Sequence, residues 1–282
     1  MKYNNILEKE NSTEGKTMSG WGTRQRLYRF HLVALLAFVC ASIFSPIAVF
    51  AASLPKMERV GVVSIAGGML YDDHVGFMVF GNKLDRQDVS EWALDEAWEA
   101  KMSAALSEVA ADAEIVPLSL ERASLLIAYP TPEDEKSIVA QYRMPKFKRI
   151  KEALQQIASD NQLDAILVLA SSSIELAGTN QSLESFGIFS SGGSSATYYY
   201  VIAQIHLIDG VTGKPVKSKW LETARHEKGQ FGRSPSETAP DELKEKRFAE
   251  YSDEEKLALA ERFKVMPDTA WVPTLTKLLQ SK

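Results

Sequence analysis

The stretch Asp164-Ala165-Ile166-Leu167-Val168-Leu169-Ala170 decides the fold of this 282-residue chain. Six successive apolar residues follow the aspartate, which is typical of a central strand covered on both faces. A second run, Val60-Gly61-Val62-Val63-Ser64-Ile65, has the same character. The two runs predict a sheet that is buried between layers of helices.

The chain around these strands alternates between helical and extended patterns. Apolar residues at helical spacing run from Trp92 to Val109, and Asp88 with Glu91 predicts the start of that helix. Another helix is expected after Pro145. We also expect a hairpin between residues 60–65 and 74–80, one long strand at 197–209, and an edge strand at 215–223. The predicted fold class is α/β, a mixed sheet with helices packed on it, plus a C-terminal helical tail.

Residues 1–52 are predicted to be a signal peptide. Arg24, Arg26 and Arg29 precede a stretch without Lys, Arg, Asp or Glu, and Val49 and Ala51 suit the −3 and −1 positions of a cleavage site. The alternative is an uncleaved anchor, the one case in which we expect membrane contact. Translation starting at Met18 would give a leader of ordinary length. Cys40, the only cysteine, lies in this segment, so cleavage would exclude disulfides and thiolate chemistry from the mature chain.

Removal of the leader makes the protein more acidic. The whole chain has 32 Lys and Arg against 37 Asp and Glu; the leader holds six and three of these, so 26 and 34 remain, a net charge of −8. Such a balance argues against nucleic acid as a partner, because phosphate binding needs clustered cations. The location expected for the protein is the periplasm or cell envelope of a bacterium.

The mature chain divides into two predicted parts. Residues 53–225 should form the α/β domain, which includes a loop rich in Ser and Gly at 171–196. Residues 226–282 should form a polar linker and a helical tail, and Ser252 with Glu255 predicts a capping box in that tail.

A family resemblance is carried by the early strand, the helix and strand around Leu163-Asp164-Ala165-Ile166, and the late hairpin. In that hairpin, Asp209, Thr212 and Gly213 match a D-x-x-T-G turn between two late strands. The chain is similar here to the small periplasmic α/β domains of the curli-secretion lipoproteins, the penicillin-binding-protein activator lipoproteins and the amino-terminal domain of TolB. The resemblance covers about residues 59–223 and implies an envelope adaptor that binds protein or envelope components without catalysis.

Candidate chemical groups are few. Asp72-Asp73-His74 could bind a metal ion or transfer a proton, although neighbouring strand residues face opposite ways. His206 and His226 show no metal-ligand spacing, and the glycine pairs match no phosphate-binding motif. We therefore predict no metal and no cofactor. Ser171-Ser172-Ser173 follow the central strand, where α/β enzymes often place functional groups, but no G-x-S-x-G elbow is present.

The predicted binding residues are Phe186, Ile188 and Phe189, apolar side chains in a segment rich in Ser and Gly. If they are exposed, they mark a contact surface for a protein partner; the alternative is that they fold back onto the domain. The function expected is that of a non-enzymatic accessory protein that binds another envelope component. The alternatives are a periplasmic hydrolase that uses a serine near 171–173 and a small-ligand-binding module with the loop as its lid.

Overall fold

The computed structural model describes residues 57–76, 81–118, 120–129, 145–176, 182–192, 196–223 and 231–280. The strands within this part of the chain are β1 (Arg59–Ser64), β2 (Met69–Val75), β3 (Lys83–Asp88), β4 (Glu114–Val116), β5 (Ala165–Ser171), β6 (Ser173–Glu175), β7 (Ser182–Glu184), β8 (Phe186–Ser191), β9 (Thr197–Val201), β10 (Ala203–Asp209), β11 (Pro215–Trp220) and β12 (Ser236–Thr238). The α-helices are α1 (Leu94–Val109), α2 (Ala123–Leu126), α3 (Lys151–Asp160), α4 (Asp253–Val265) and α5 (Trp271–Gln280).

The first sheet is built around the strand that decided the fold. Its order is β11-β10-β5-β1-β4, so β5 lies in the centre with β1 parallel on one side and β10 antiparallel on the other. Every residue of β5 except Ser171 is buried. The α/β class with a mixed sheet is confirmed, and β11 lies at the edge as predicted.

A second sheet has the order β12-β9-β8-β2-β3. The hairpin predicted between residues 60–65 and 74–80 is therefore wrong, because β2 pairs with β3 and β8 and shares no ladder with β1. The chain leaves the first sheet at Gly67-Gly68 instead of turning back on itself. A Cβ on Gly67 would come within 2.8 Å of the Asp95 backbone nitrogen, so this crossing passes too close to α1 for any other residue.

The long strand expected at 197–209 changes sheet at Ile202. Its first half, β9, pairs with β8 and its second half, β10, pairs with β5. Alternation in the sequence predicts that Tyr199, Val201, Ala203, Ile205 and Leu207 share the inner face of this strand, and all five lie in one core. Side-chain alternation continues through the change of sheet, and so the sequence pattern did not reveal the break.

The first helix begins later than predicted. The Asp88 carboxylate accepts a hydrogen bond from the Ser90 backbone nitrogen at 3.0 Å, and this contact opens a 3-10 turn at Ser90–Trp92. Only then does α1 start, at Leu94. By contrast, the capping box of Ser252 and Glu255 is found at the start of α4.

The C-terminal segment is part of the main core. The Trp98 indole donates to the Phe263 carbonyl oxygen at 3.0 Å, and Trp271, Leu275 and Leu278 are fully buried among residues of both sheets. The stretch predicted to be a polar linker contains the buried Phe231 and the strand β12, while residues 226–230 lie outside the described part. Helix α5 is thus the predicted C-terminal helix, and it contributes to the core shared by the two sheets.

The turn that carried the family resemblance forms as predicted. The Thr212 backbone nitrogen donates to Asp209 Oδ1 at 2.7 Å, and Gly213 has a φ of 62°, a conformation that favours glycine. Among the described residues, no helix has the length and apolar content needed to cross a membrane.

Candidate functional site: a cleft at the ends of β1 and β5

A cleft of about 270 Å³ lies where β1 and β5 end. The two strands are parallel neighbours, so the chain leaves both of them at the same edge of the sheet. Open α/β sheets commonly bind their ligands at such carboxyl ends. The residues that form the walls, which we call the cleft residues, include Ile65, Met69, Tyr71, Leu126, Tyr129 and Ser171.

The wall that follows β1 is fixed by the first turns of α1. The Asp95 carboxylate accepts hydrogen bonds from the backbone nitrogens of Ala66 and Gly67 at 3.0 and 2.8 Å. The Ser64 backbone nitrogen donates to Glu99 at 2.8 Å. These contacts satisfy backbone donors that would otherwise be left without partners at the strand end. The loop that follows β1 is therefore held against the start of α1 by these hydrogen bonds.

A second layer of charge holds α2 beside this loop. The Arg122 guanidinium donates to Glu99 Oε2 at 2.8 Å and also pairs with Glu96. Burial raises the pKa of Glu99, against the opposing effect of its hydrogen bonds from Ser64 and Arg122. Arg122 directly precedes α2, so the pair with Glu99 places Leu126 at the rim of the cleft.

Tyr129 braces the two strands. Its hydroxyl donates to the Ile65 carbonyl oxygen at 3.0 Å and accepts from the Ser171 backbone nitrogen at 2.8 Å. Burial raises the pKa of Tyr129 far above its ordinary value. The hydroxyl is a neutral structural group and is unsuited to act as a base.

The serines of the cleft also hold the fold together. Ser171 and Ser185 share a hydrogen bond of 2.8 Å between their hydroxyls, and the Ser185 hydroxyl donates to the Ala66 carbonyl oxygen at 3.2 Å. Ser185 has a φ of 57°, which costs a residue other than glycine some strain. Among the described residues, no histidine lines the cleft. The hydroxyls of Ser171 and Ser185 therefore bond to each other and to the backbone, and not to a histidine.

Apolar side chains surround the opening. Met69 and Leu126 line the cleft while remaining 38% and 46% exposed, and Ile127, next to Leu126, is 55% exposed. Exposed apolar groups gathered around a cavity are unusual on a surface that meets only water. The cleft therefore combines polar groups that are hydrogen-bonded within the fold with an apolar rim.

The prediction of an exposed contact surface at Phe186, Ile188 and Phe189 is wrong, because all three side chains are at most 2% exposed. They lie in β8, where Phe186 meets Trp98 edge-on at 5.6 Å and Phe189 meets Phe231 at 5.3 Å. The composition of residues 171–196 predicts a loop, whereas pairing with β2 and β9 makes a strand. The alternative reading, in which these residues fold back onto the domain, is the one observed.

The three residues Asp72-Asp73-His74 do not form a common site. Asp72 pairs with Arg247 at 2.8 Å, Asp73 accepts from the Tyr200 hydroxyl at 2.7 Å, and His74 contacts the Ser190 hydroxyl at 2.9 Å. Strand alternation points Asp73 to the face opposite Asp72 and His74, and those two side chains bind different partners. Within the described residues, no group of His, Cys, Asp and Glu could hold a metal ion.

His206 has a packing role. Its ring lies 4.4 Å from the Phe147 ring, and burial lowers its pKa to about 4. A buried neutral imidazole against an aromatic ring fits the interior of the sheet. His226, its suggested companion, lies outside the described residues.

Sequence reasoning identified Ser171 and Ser172 at the cleft but missed Tyr129, Ser185 and Met69. Tyr129 follows a short helix and precedes a proline, and its neighbours show no periodicity that would place it near β5. Ser185 was hidden in a segment that composition alone marks as a loop. Only the pairing of distant strands brings these residues together.

No family model and no curated protein matches the sequence. Among solved structures, the chain is similar to the lipoprotein GNA1162 from Neisseria meningitidis, with 14% identity, a TM-score of 0.28, and coverage of 71% of this chain and 90% of that chain. It is also similar to the C-terminal domain of LpoB from Salmonella enterica, with 12% identity, a TM-score of 0.23, and coverage of 60% of this chain and 84% of that chain. At these TM-scores neither likeness bears on what the present chain binds.

Proposed function

We propose that this chain is an exported accessory protein of the bacterial envelope that binds a protein partner through the cleft, without catalysis. The observation that carries the proposal is the exposed apolar rim of Met69 and Leu126 around a pocket whose Tyr129, Ser171 and Ser185 hydroxyls form hydrogen bonds within the fold. The predicted leader of residues 1–52 supplies the envelope location.

The size of the cleft and its exposed apolar rim together suit a large apolar side chain of a protein partner. Its volume of about 270 Å³ lies at the lower end of the range of roughly 300–1,000 Å³ for ligand sites and has room for one large apolar side chain. A partner that inserts one large apolar residue would bury the rim as well as the pocket. This arrangement resembles the central anchors that dominate many protein interfaces.

The alternative of a serine hydrolase has less support. Ser171 and Ser185 hydrogen-bond to each other, and Tyr129 is a neutral phenol beside them. A serine-directed probe should leave the protein unlabelled. Labelling that disappears in a Ser171→Ala variant would favour the hydrolase instead.

The alternative of a ligand-binding module also has less support, because it needs the segment 171–196 to be a loop that acts as a lid. Of the segment 171–196, the strands β5 to β8 account for most of the described residues. Residues 177–181 and 193–195 lie outside the described part. No ligand-dependent protection of the segment from protease is therefore expected.

The test of the proposal is crosslinking in the native host. A photoreactive amino acid in place of Leu126 should capture a specific partner, and a Met69→Asp variant should lose that partner because a charge at the rim is costly to bury. The matched control places the same photoreactive group at Leu257, which is 65% exposed on α4 away from the cleft. Capture of the same species from both positions, or of background alone, would contradict the proposal.

The predicted export is tested separately. The experiment determines the amino-terminal residue and the intact mass of the protein isolated from its host. Cleavage after Ala51 is expected from Val49 and Ala51 at positions −3 and −1. A mature protein that retains residues 18–52 would point to the anchor instead.

A further inference from the structure

A second cavity, of about 680 Å³, lies between the second sheet and the segment that precedes α4. It shares no lining residue with the cleft. Apart from one glycine, every described residue that lines it has a polar or charged side chain. Its volume falls within the range of roughly 300–1,000 Å³ for ligand sites. The composition of its walls suits a ligand that carries charge.

One wall is a row of side chains that crosses four neighbouring strands. Lys83 of β3 pairs with His74 of β2, and His74 pairs with Ser190 of β8. Ser190 in turn pairs with Thr197 of β9. Directly paired residues present their side chains on the same face of a sheet, and His74 Nδ1 lies 2.9 Å from the Ser190 hydroxyl oxygen. We call these four residues the polar row.

The second wall is formed by residues 241–247, which contact the sheet at two points. The Thr197 hydroxyl donates to the Lys244 carbonyl oxygen at 2.6 Å. The Arg247 guanidinium donates to Asp72, two residues before His74 on β2, at 2.8 Å. The polar row and the second wall are therefore fixed relative to each other by hydrogen bonds.

Most charged groups around the cavity already have a partner of opposite charge. The paired groups are Lys244 with Asp241, Lys246 with Glu255, and Arg247 with Asp72. Within the part of the chain that the structure describes, the lining residues Lys83, Glu242 and Glu245 form no ion pair. Positive charge thus remains on the polar row and negative charge on the second wall.

The polar row combines one full charge with neutral hydrogen-bonding groups. Burial, together with the charges of Arg247 and Lys83, lowers the pKa of His74. The imidazole is therefore neutral at pH 7, and the positive charge of the row is that of Lys83. An ammonium beside an imidazole and two hydroxyls provides the donors that a carboxylate needs.

Two simpler classes of ligand fit this cavity less well. A simple anion is favoured by a cavity lined by charge of one sign, whereas Glu242 and Glu245 line the same cavity as Lys83. For a metal ion, the described residues contain no suitable group of His, Cys, Asp and Glu. A ligand with both an ammonium and a carboxylate would find a partner of opposite charge on each wall.

We propose that this cavity binds a short peptide with free ends, its carboxylate at the polar row and its ammonium at Glu242 and Glu245. Complementary charges at both ends would fix the direction of the peptide. The cavity and the cleft have no residue in common, so the inference goes beyond the proposed function and does not depend on it.

The test is calorimetric titration of the exported protein, purified from its host, with three forms of one peptide. The probes are trialanine with free ends, its N-acetyl form and its C-amide form. The free-ended form is expected to bind with a Kd on the order of 1 mM or tighter, and each blocked form about ten-fold more weakly. No saturable binding of the free-ended form, or equal affinity for the three forms, would overturn the proposal.

Two variants assign the ends of the peptide to the walls. Lys83→Gln should weaken binding of free trialanine about ten-fold and leave the C-amide unaffected, because that form has no carboxylate to lose a partner. The double variant Glu242→Gln with Glu245→Gln should weaken free trialanine and leave the N-acetyl form unaffected. Equal losses for all three peptides would show that these charges do not contact the peptide ends, against the proposal.

Control variants remove the same kinds of charge elsewhere. Lys148→Gln and Glu108→Gln change exposed residues that do not line the cavity, and both should leave all three affinities unchanged. Losses as large as those of the cavity variants would mean that net charge alone is responsible, which would overturn the proposal. Unchanged thermal unfolding confirms that each variant is folded.

Discussion

At the scale of single residues, the second sheet depends on a close backbone contact and on a buried carboxyl group. Neither can be predicted from the neighbouring sequence. Gly187 in β8 lies against β2, and Asp73 in β2 is buried with Tyr200 as its hydrogen-bond partner. Both positions set the geometry of the second sheet. The prediction at Gly187 concerns one added carbon atom, and the prediction at Asp73 concerns the proton of its carboxyl group.

Gly187→Ala should destabilise the protein by about 3 kcal/mol, because overpacking a tight site forces the backbone to move. The added Cβ would come 1.9 Å from the Tyr71 carbonyl oxygen. Urea denaturation measures the effect. Gly68→Ala is the control, since its Cβ would meet only the Ser90 hydroxyl at 3.4 Å and should cost much less. Equal losses would show that the approach of β8 to β2 is looser than described.

Asp73 makes stability depend on pH. Burial raises the pKa of this carboxyl from 3.8 to about 6, while the hydrogen bond from Tyr200 opposes the rise. Between these two values the folded state holds a proton that the unfolded state has lost, so this residue's contribution to stability falls as pH rises through that window and is constant above it. The difference between these two pKa values corresponds to about 3 kcal/mol of stability.

Asp73→Asn should therefore stabilise the protein above pH 6 and remove that part of the pH dependence. The amide still accepts a hydrogen bond from Tyr200, so the contact geometry is kept. Denaturation curves of both proteins across the window provide the comparison. A variant with an unchanged pH slope would exclude Asp73 as its source.

At the scale of elements, Arg247 connects the C-terminal segment to β2 through hydrogen bonds to Asp72. Arg247 donates to Asp72 Oδ2 and to the Asp72 carbonyl oxygen at 2.8 and 2.7 Å, and the Phe248 backbone nitrogen donates to the same carboxylate at 2.9 Å. Burial raises the pKa of Asp72, although Arg247 and the Phe248 amide act against the rise. The contact spans 175 residues of sequence.

Arg247→Met should cost about 3–5 kcal/mol, because it leaves the carboxylate of Asp72 buried without its countercharge. The double variant Arg247→Met with Asp72→Asn should recover part of that loss. Thermal and urea unfolding measure both. Arg262→Met serves as the control, since its pair with Glu237 is exposed and should contribute less than about 1 kcal/mol. An Arg247 variant as stable as the control would show that other contacts hold the segment.

At the scale of the whole molecule, two sheets share one core and the final helix helps to close it. Trp271, Leu275 and Leu278 of α5 lie in the same cluster as Leu70 and Phe186 of the second sheet and Leu167 of the first. A segment that looks terminal in the sequence is central to the packing. The cleft therefore belongs to a scaffold whose core includes the C-terminal helix.

Truncation before Trp271 should abolish cooperative unfolding. The three large side chains lost contribute roughly 1.5–3 kcal/mol each, against a total stability of about 5–15 kcal/mol for a domain. A milder version is Leu278→Ala, expected to cost about 2–5 kcal/mol. Val265→Ala, at a site that is 54% exposed, should cost little. A truncated chain that still unfolds cooperatively would show that the core closes without α5.

The sequence by itself determined the local elements and the fold class. Continuous apolar residues identified β5 and β1, helical spacing identified α1 and α3, and side-chain alternation identified the inner face of residues 197–209. The turn at Asp209 and the cap at Ser252 were also readable, because both depend on residues only a few positions apart.

Only the tertiary structure decided which strands pair and which apolar residues are buried. A break at Ile202 leaves alternation unchanged, and a segment rich in Ser and Gly becomes a strand once β2 and β9 lie on either side of it. The cleft joins residues from separate regions of the chain, and so does the pairing of Asp72 with Arg247. The physical reason is that contacts between distant segments depend on the whole packing, whereas local patterns report only what a residue's immediate neighbours favour.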